Sequence, residues 1–231
     1  MKTLVVCLLV TICGFSQSRL EKAQRCVQTG DYQRAETLAK AVLSEEPGSL
    51  DAMEMLGDIA GYQKQWPEAL SYYNRLRTLQ PLNADYQYKY GGVMGMIAKD
   101  SNKFTALSML DDIRNAFLRA IELNPKHIEA RWALIDYYLE VPGILGGSER
   151  KAQRYANELA KLSPVDGFLA KGHIAEYFKR YSQAESYYRS AITVGKSRTT
   201  YERLANLYRN RLKRPDKARE VLLEYQNLKK S

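Results

Sequence analysis

Apolar residues recur three or four positions apart along most of the chain, which is helical rather than strand spacing. One run, Phe104, Leu107, Leu110, Ile113, Phe117 and Ile121, predicts a single long helix of about 18–20 residues. Asp100 to Asn102 would form its entry loop, and Asn124 with Pro125 its stop. A second run carries Trp132, Leu134 and Tyr138 and should end before Pro142, which lacks an amide hydrogen and clashes with the preceding turn. Beyond it, Gly143 permits a reversal, Gly146 and Gly147 permit close approach, and Ser148 can cap a helix that starts at Glu149. The pattern predicts an all-α chain.

The helical segments repeat. IAGYQKQWPEALSYYNRL at 59–76 aligns without gaps on IAEYFKRYSQAESYYRSA at 174–191, and the same register sets Gly57 against Gly172. Pro47 and Pro81 are 34 residues apart, Pro125 follows after 44 and Pro164 after 39. Ala35 to Ala69 and Ala184 to Ala218 are again 34. A unit of that length accommodates two short antiparallel helices, which bury their apolar faces only by stacking on the next pair.

Small and aromatic residues fall at matching places in each unit. The first has Ala23, Gly30, Tyr32, Ala35 and Pro47; the second has Leu56, Gly57, Ala69, Tyr73, Leu76 and Pro81. The third has Tyr90, Gly91, Phe117, Ala120 and Pro125, and the fourth Leu134, Ala152, Ala156 and Pro164. Gly172, Ala184, Tyr188 and Ala191 mark the fifth, with Lys196 where a proline would close it; Ala205, Ala218 and Leu222 mark the sixth. On these residues the chain resembles the tetratricopeptide repeat family. The resemblance implies a right-handed superhelical solenoid of about six helical hairpins, one domain over 17–231, with insertions near 95–105 and 141–148. The small residues would let the helices of a hairpin close up, and the aromatics at Tyr73 and Tyr188 would fill the gap left toward the neighbouring unit. The phrase ARW..IDYY...PG..GG...KA is also similar to exported bacterial repeat proteins of poorly defined function.

The beginning of the chain reads differently. Residues 1–16 combine Lys2, an apolar run from Leu4 to Cys13, and small residues at Gly14 and Ser16, the layout of a secretory signal peptide cut before Gln17. An uncleaved anchor is the alternative, although the run is shorter than the roughly 20 apolar residues a crossing requires. Cleavage would remove Cys7 and Cys13, leaving Cys26 without an internal disulfide partner. The protein would then be exported, as a periplasmic, secreted or envelope-associated protein with no transmembrane span in its mature chain. The chain carries 35 basic and 26 acidic side chains, net +9. Such a surplus favours anionic partners, but export argues against nucleic acid.

No group of residues reads as catalytic or metal-binding. His127 and His173 lie in different units, and no second histidine or cysteine joins either. Gly91, Gly92 and Gly95 lack the strand and the lysine of a phosphate loop. The family resemblance implies that first helices line a concave groove. Its inward positions would be Glu54, Asp58 and Tyr62 in the second unit, Asp85, Tyr88 and Met96 in the third, Glu129, Trp132, Asp136 and Glu140 in the fourth, and Leu169, His173, Glu176 and Tyr177 in the fifth. An acidic, aromatic groove suits a basic or aromatic peptide and opposes a nucleic-acid strand. The expectation is a non-enzymatic scaffold for a protein or peptide partner, with no cofactor or metal. Two alternatives stand beside it: a hydrolase or carbohydrate-active accessory using Asp111, Asp136 and His173 near the third and fourth units, and a structural subunit of an envelope assembly.

Overall fold

The computed structural model describes residues 17–229; the leader expected over 1–16 lies outside the described residues. Among the described residues there are twelve α-helices and no strand. They fall into two compact units, residues 1–123 and 124–231.

The first unit holds three hairpins: α1 (17–28) with α2 (Tyr32–Glu45), α3 (Leu50–Tyr62) with α4 (Trp66–Leu79), and α5 (Ala84–Asp100) with α6 (Lys103–Leu123). The second holds α7 (Ile128–Glu140) with α8 (Glu149–Leu162), α9 (Pro164–Tyr177) with α10 (Tyr181–Gly195), and α11 (Arg198–Asn206) with α12 (Pro215–Leu228). Helix α6 has 21 residues and begins after a break at Ser101 and Asn102, close to the length and entry point predicted from its apolar spacing. The Asn102 side chain accepts the amides of Phe104 and Thr105, a polar cap that releases the chain into the helix.

Each hairpin closes through small residues. Ala35, Ala69, Ala120, Ala152, Ala184 and Ala218 are fully buried. Gly57 lies under the Tyr73 ring, Gly91 against Ala116 and Phe117, and Gly172 under the Tyr188 ring, so a β-carbon at any of the three would collide with them. Gly92 and Gly95 meet nothing within 4 Å, so close packing within the glycine cluster rests on Gly91 alone. Pro81 and Pro125 sit in turns between hairpins, whereas Pro164 opens α9 at its first position, where its missing amide removes no helical hydrogen bond.

Two kinds of turn organise the chain. First helices are capped by side chains: Ser49, Asn83, His127, Ser163 and Ser197 each accept an amide from the first turn that follows. Four of the six turns inside hairpins have a left-handed residue just before the second helix: Gly30, Lys64, Lys179 and Lys213 have φ of 79°, 60°, 59° and 55°. In three of them the next amide reaches back five residues, Asp31 to Cys26, Gln65 to Ala60 and Arg180 to Ala175, each at 2.8 Å. This ending satisfies carbonyls that the helix leaves open. At the last hairpin Arg214 reaches back six residues to Tyr208, because a π-helical turn at Leu207–Arg211 adds a residue.

The proline and glycine link between α7 and α8 is a structural elbow. Pro142 leads a 3-10 turn at Gly143–Leu145, Gly146 takes φ 101°, and Ser148 caps α8 by accepting the Lys151 amide. A β-carbon on Gly147 would fall 1.7 Å from the Val141 carbonyl oxygen. The reversal therefore requires Gly146 and Gly147; Gly143, expected to permit it, keeps ordinary dihedrals and open space.

Candidate functional site

Within each unit the first helices of successive hairpins approach one another, and several of the residues predicted to line a groove stand at those approaches. In the first unit the Lys89 ammonium from α5 donates to Glu54 Oε1 at 2.7 Å and to both oxygens of Asp58 at 2.8 and 2.9 Å. Asp58 also accepts the Tyr73 hydroxyl. Burial opposes the charge on Lys89, but Asp58 and Glu54 outweigh it and hold its pKa above that of an ordinary lysine. Burial, then the charge of Glu54, pushes Tyr86 up to about 12. Nearby, Tyr62 is 58% exposed and stacks on Tyr32 at 5.4 Å, Tyr88 tilts against Phe117 at 6.1 Å, and Asp85 and Met96 are exposed.

In the second unit Trp132 bridges α7 and α9. Its indole nitrogen donates to Asp166 Oδ1 at 2.9 Å, and the other Asp166 oxygen accepts Ser163 Oγ at 2.6 Å. The indole faces the His173 ring at 6.2 Å, and His173 Nε2 meets Asp136 Oδ1 at 2.8 Å. Glu129, Asp136 and Glu140 are exposed along α7, and Tyr177 is exposed at the end of α9, edge-on to Phe178. Glu176 is engaged by the Tyr188 hydroxyl and by Arg211 Nε, each at 2.9 Å. Leu169, expected to face inward, is buried in a core with Tyr188, Leu204 and Tyr208.

These contacts change the electrostatic picture. Lys89 neutralises part of the charge of Glu54 and Asp58, and Arg211 that of Glu176, so the predicted acidic bias shrinks to the exposed carboxylates. Sequence reasoning missed Lys89, Asp166 and Arg211. The signal was the repeat itself: Trp132 and Asp166, like the Trp66 indole and Asp100, are 34 residues apart, and Glu54 to Lys89 and Glu176 to Arg211 are 35. Applying the period to polar residues as well as to alanines finds all three.

Asp136 and His173 supply a carboxylate and an imidazole, but the ring beside them is an indole rather than a hydroxyl or thiol nucleophile. Asp111 is bound within its own helix by Arg114 at 2.9 Å. A cavity of about 290 Å³ in the first unit is lined by Arg77, Gln87, Tyr90, Asp112, Asn115 and Arg119. There Arg77 stacks on the Tyr90 ring at 3.6 Å and Arg119 pairs with Glu122 at 2.8 Å, so the two cations already have partners. Among the described residues no group of three metal-ligating side chains converges, and no helix is long and apolar enough to cross a membrane.

Residues 20–84 match the sequence profile of the tetratricopeptide repeat. No curated protein sequence matches the chain. Among solved structures, a tetratricopeptide repeat protein of Thermus thermophilus superposes with a TM-score of 0.67 at 16% identity, over 90% of this chain and 99% of its own. PilW, a type IV pilus biogenesis factor, gives 0.64 at 15% identity over 92% and 93%. YrrB, described as a tetratricopeptide repeat protein with an unusual peptide-binding site, gives 0.51 at 17% over 79% and 87%. At these identities the likeness is one of fold.

Proposed function

We propose that this chain of tetratricopeptide repeats is a non-enzymatic scaffold that holds a peptide or protein segment against the first helices of its hairpins. The observation that carries this reading is Trp132, a half-buried indole fixed by Asp166 and flanked by the exposed carboxylate of Asp136. A fixed aromatic loses little freedom when a partner covers it, and neighbouring carboxylates steer basic segments toward it. Tyr62, stacked on Tyr32, offers the first unit a comparable ring. The peptide-binding site named for YrrB and the pilus biogenesis named for PilW support the same reading, as does the exported character expected from residues 1–16.

The test is affinity purification of the tagged protein from its native envelope, comparing wild type with Tyr62→Ala and with Trp132→Ala. One stoichiometric protein should be retained by wild type and depleted in at least one variant, while circular dichroism melts stay close to wild type. Recovery of no stoichiometric partner, or of one that both variants retain fully, would refute the assignment.

A further inference from the structure

The excess positive charge is confined to one unit. Residues 1–123 contain 14 basic and 14 acidic side chains, whereas 124–231 contain 21 and 12. Charge asymmetry of this kind points to an anionic partner for the basic part. Within that unit the densest run lies at the last hairpin. From 209 to 219 the chain has Arg209, Arg211, Lys213, Arg214, Lys217 and Arg219, all exposed, against Asp216 alone.

Ion pairs bring the three hairpin turns of the unit along one edge. Arg180, at the α9–α10 turn, holds Glu149 at the start of α8 through two bonds of 2.5 and 2.8 Å. Arg211, at the α11–α12 turn, holds Glu176 near the end of α9. Two carboxylates of this edge are thereby occupied, and Lys179, Lys213 and Arg214 project at the turns, outnumbering the exposed Glu140 and Asp216. Apolar side chains stand among them: Ile144 is 96% exposed at the elbow, with Tyr177 and Phe178 exposed at the next turn.

We infer that this turn edge of the second unit docks on an anionic phospholipid surface. Basic side chains interleaved with isolated aliphatic and aromatic groups match the headgroup and upper acyl layers of a bilayer, the cations meeting phosphate and the apolar tips entering below it. A nucleic-acid strand would want ring faces open to stack with bases, whereas Tyr177 and Phe178 pack edge-on at 5.2 Å and Arg180 lies over the Phe178 ring. The docking is separate from the scaffold reading and survives its failure.

The full chain should cosediment with vesicles of equal parts phosphatidylcholine and phosphatidylglycerol, more strongly than with phosphatidylcholine alone, and added salt should release it. Each basic side chain at an anionic surface contributes about fivefold, so losing three lowers partitioning on the order of a hundredfold, and the charge reversal in K179E/K213E/R214E should lower it by at least that. Ile144→Ser should lower it without changing the net charge of the edge. K22E/R25E/R34E makes the same charge change on exposed residues of the first unit and should have little effect, because screening confines the attraction to charges at the surface. All these side chains are exposed, and far-ultraviolet circular dichroism checks that helix content is kept. Equal losses in the two triple variants, or equal binding to both vesicle types, would overturn the inference. So would failure to bind vesicles combined with a polyglutamate affinity that K179E/K213E/R214E abolishes, which would assign the edge to an acidic polypeptide.

Discussion

The Tyr188 ring fills the place of the side chain that Gly172 lacks: a β-carbon there would fall 2.4 Å from Tyr188 Cε1. Tyr188 is fully buried and its hydroxyl is fixed by Glu176, so the ring has no room to retreat. Gly57 and Tyr73 repeat the arrangement, with 2.9 Å to Cζ. Gly172→Ala should therefore destabilise the protein by about 1–2 kcal/mol, an overpacking cost of up to about 3 reduced by the helix preference of alanine. Adjacent glycines in α5 give a sharper comparison. Gly91→Ala, forced against Ala116 and Phe117 at 2.9 Å, should destabilise, while Gly92→Ala, with open space, should stabilise by up to about 1 kcal/mol. Urea denaturation of the pair should give shifts of opposite sign.

The left-handed lysines make a second prediction. Lys64→Gly, Lys179→Gly and Lys213→Gly should each stabilise by about 1 kcal/mol, because glycine enters this region without a steric penalty. Thermal melts should rise for all three. Lys→Ala at the same positions keeps the β-carbon and should bring no such gain.

Tyr73 and Tyr188 predict a loss of stability in alkali. Burial first, then the neighbouring carboxylates Asp58 and Glu176, raise both hydroxyls well above the ordinary tyrosine value of 10.0. The unfolded chain releases these protons near that value while the folded protein keeps them. Stability contributed by each is thus complete below pH 10 and falls as pH rises above it, by up to about 1.4 kcal/mol per pH unit for one such group. Tyr73→Phe and Tyr188→Phe should each flatten the alkaline limb of a plot of unfolding free energy against pH. An unchanged slope would contradict the assignment.

Arg131 is charged, and only 6% of it is exposed. It donates to Glu158 Oε2 at 3.1 Å and to the His127 carbonyl at 2.9 Å. Arg131→Ala leaves a cavity and strips both acceptors, and should cost about 3 kcal/mol. Arg131→Met fills the same space without a charge and should cost less than half as much. Chemical denaturation at neutral pH separates the two.

The helices and their hairpin pairing were legible because spacing and side-chain size report directly on close packing. Tyr73 and Tyr188 were expected to fill space toward the neighbouring unit, and their seats on Gly57 and Gly172 of their own hairpins emerge only from the geometry. The polar side of the first helices was less legible. Tyr62, Trp132 and Asp136 could be placed on a helix face, but the share of carboxylate charge left for a partner depends on Lys89 and Arg211, which arrive from the next repeat. The left-handed lysines were hidden for a related reason: lysine carries no turn preference of its own, and only the equivalence of Lys64, Lys179 and Lys213 with Gly30 reveals it.

Trp66 to Asp100, Trp132 to Asp166, Glu54 to Lys89 and Glu176 to Arg211 each span one period of the chain. A polypeptide fastened in this way tolerates length change in whole modules. Duplicating or excising 34 residues brings an equivalent donor to an equivalent acceptor, whereas gaining or losing half that number severs a staple and turns a helix the wrong way round. Growth by tandem duplication is thus the path of least resistance for such a chain, and the shared pattern of 59–76 and 174–191, with eight of eighteen positions the same, is consistent with it.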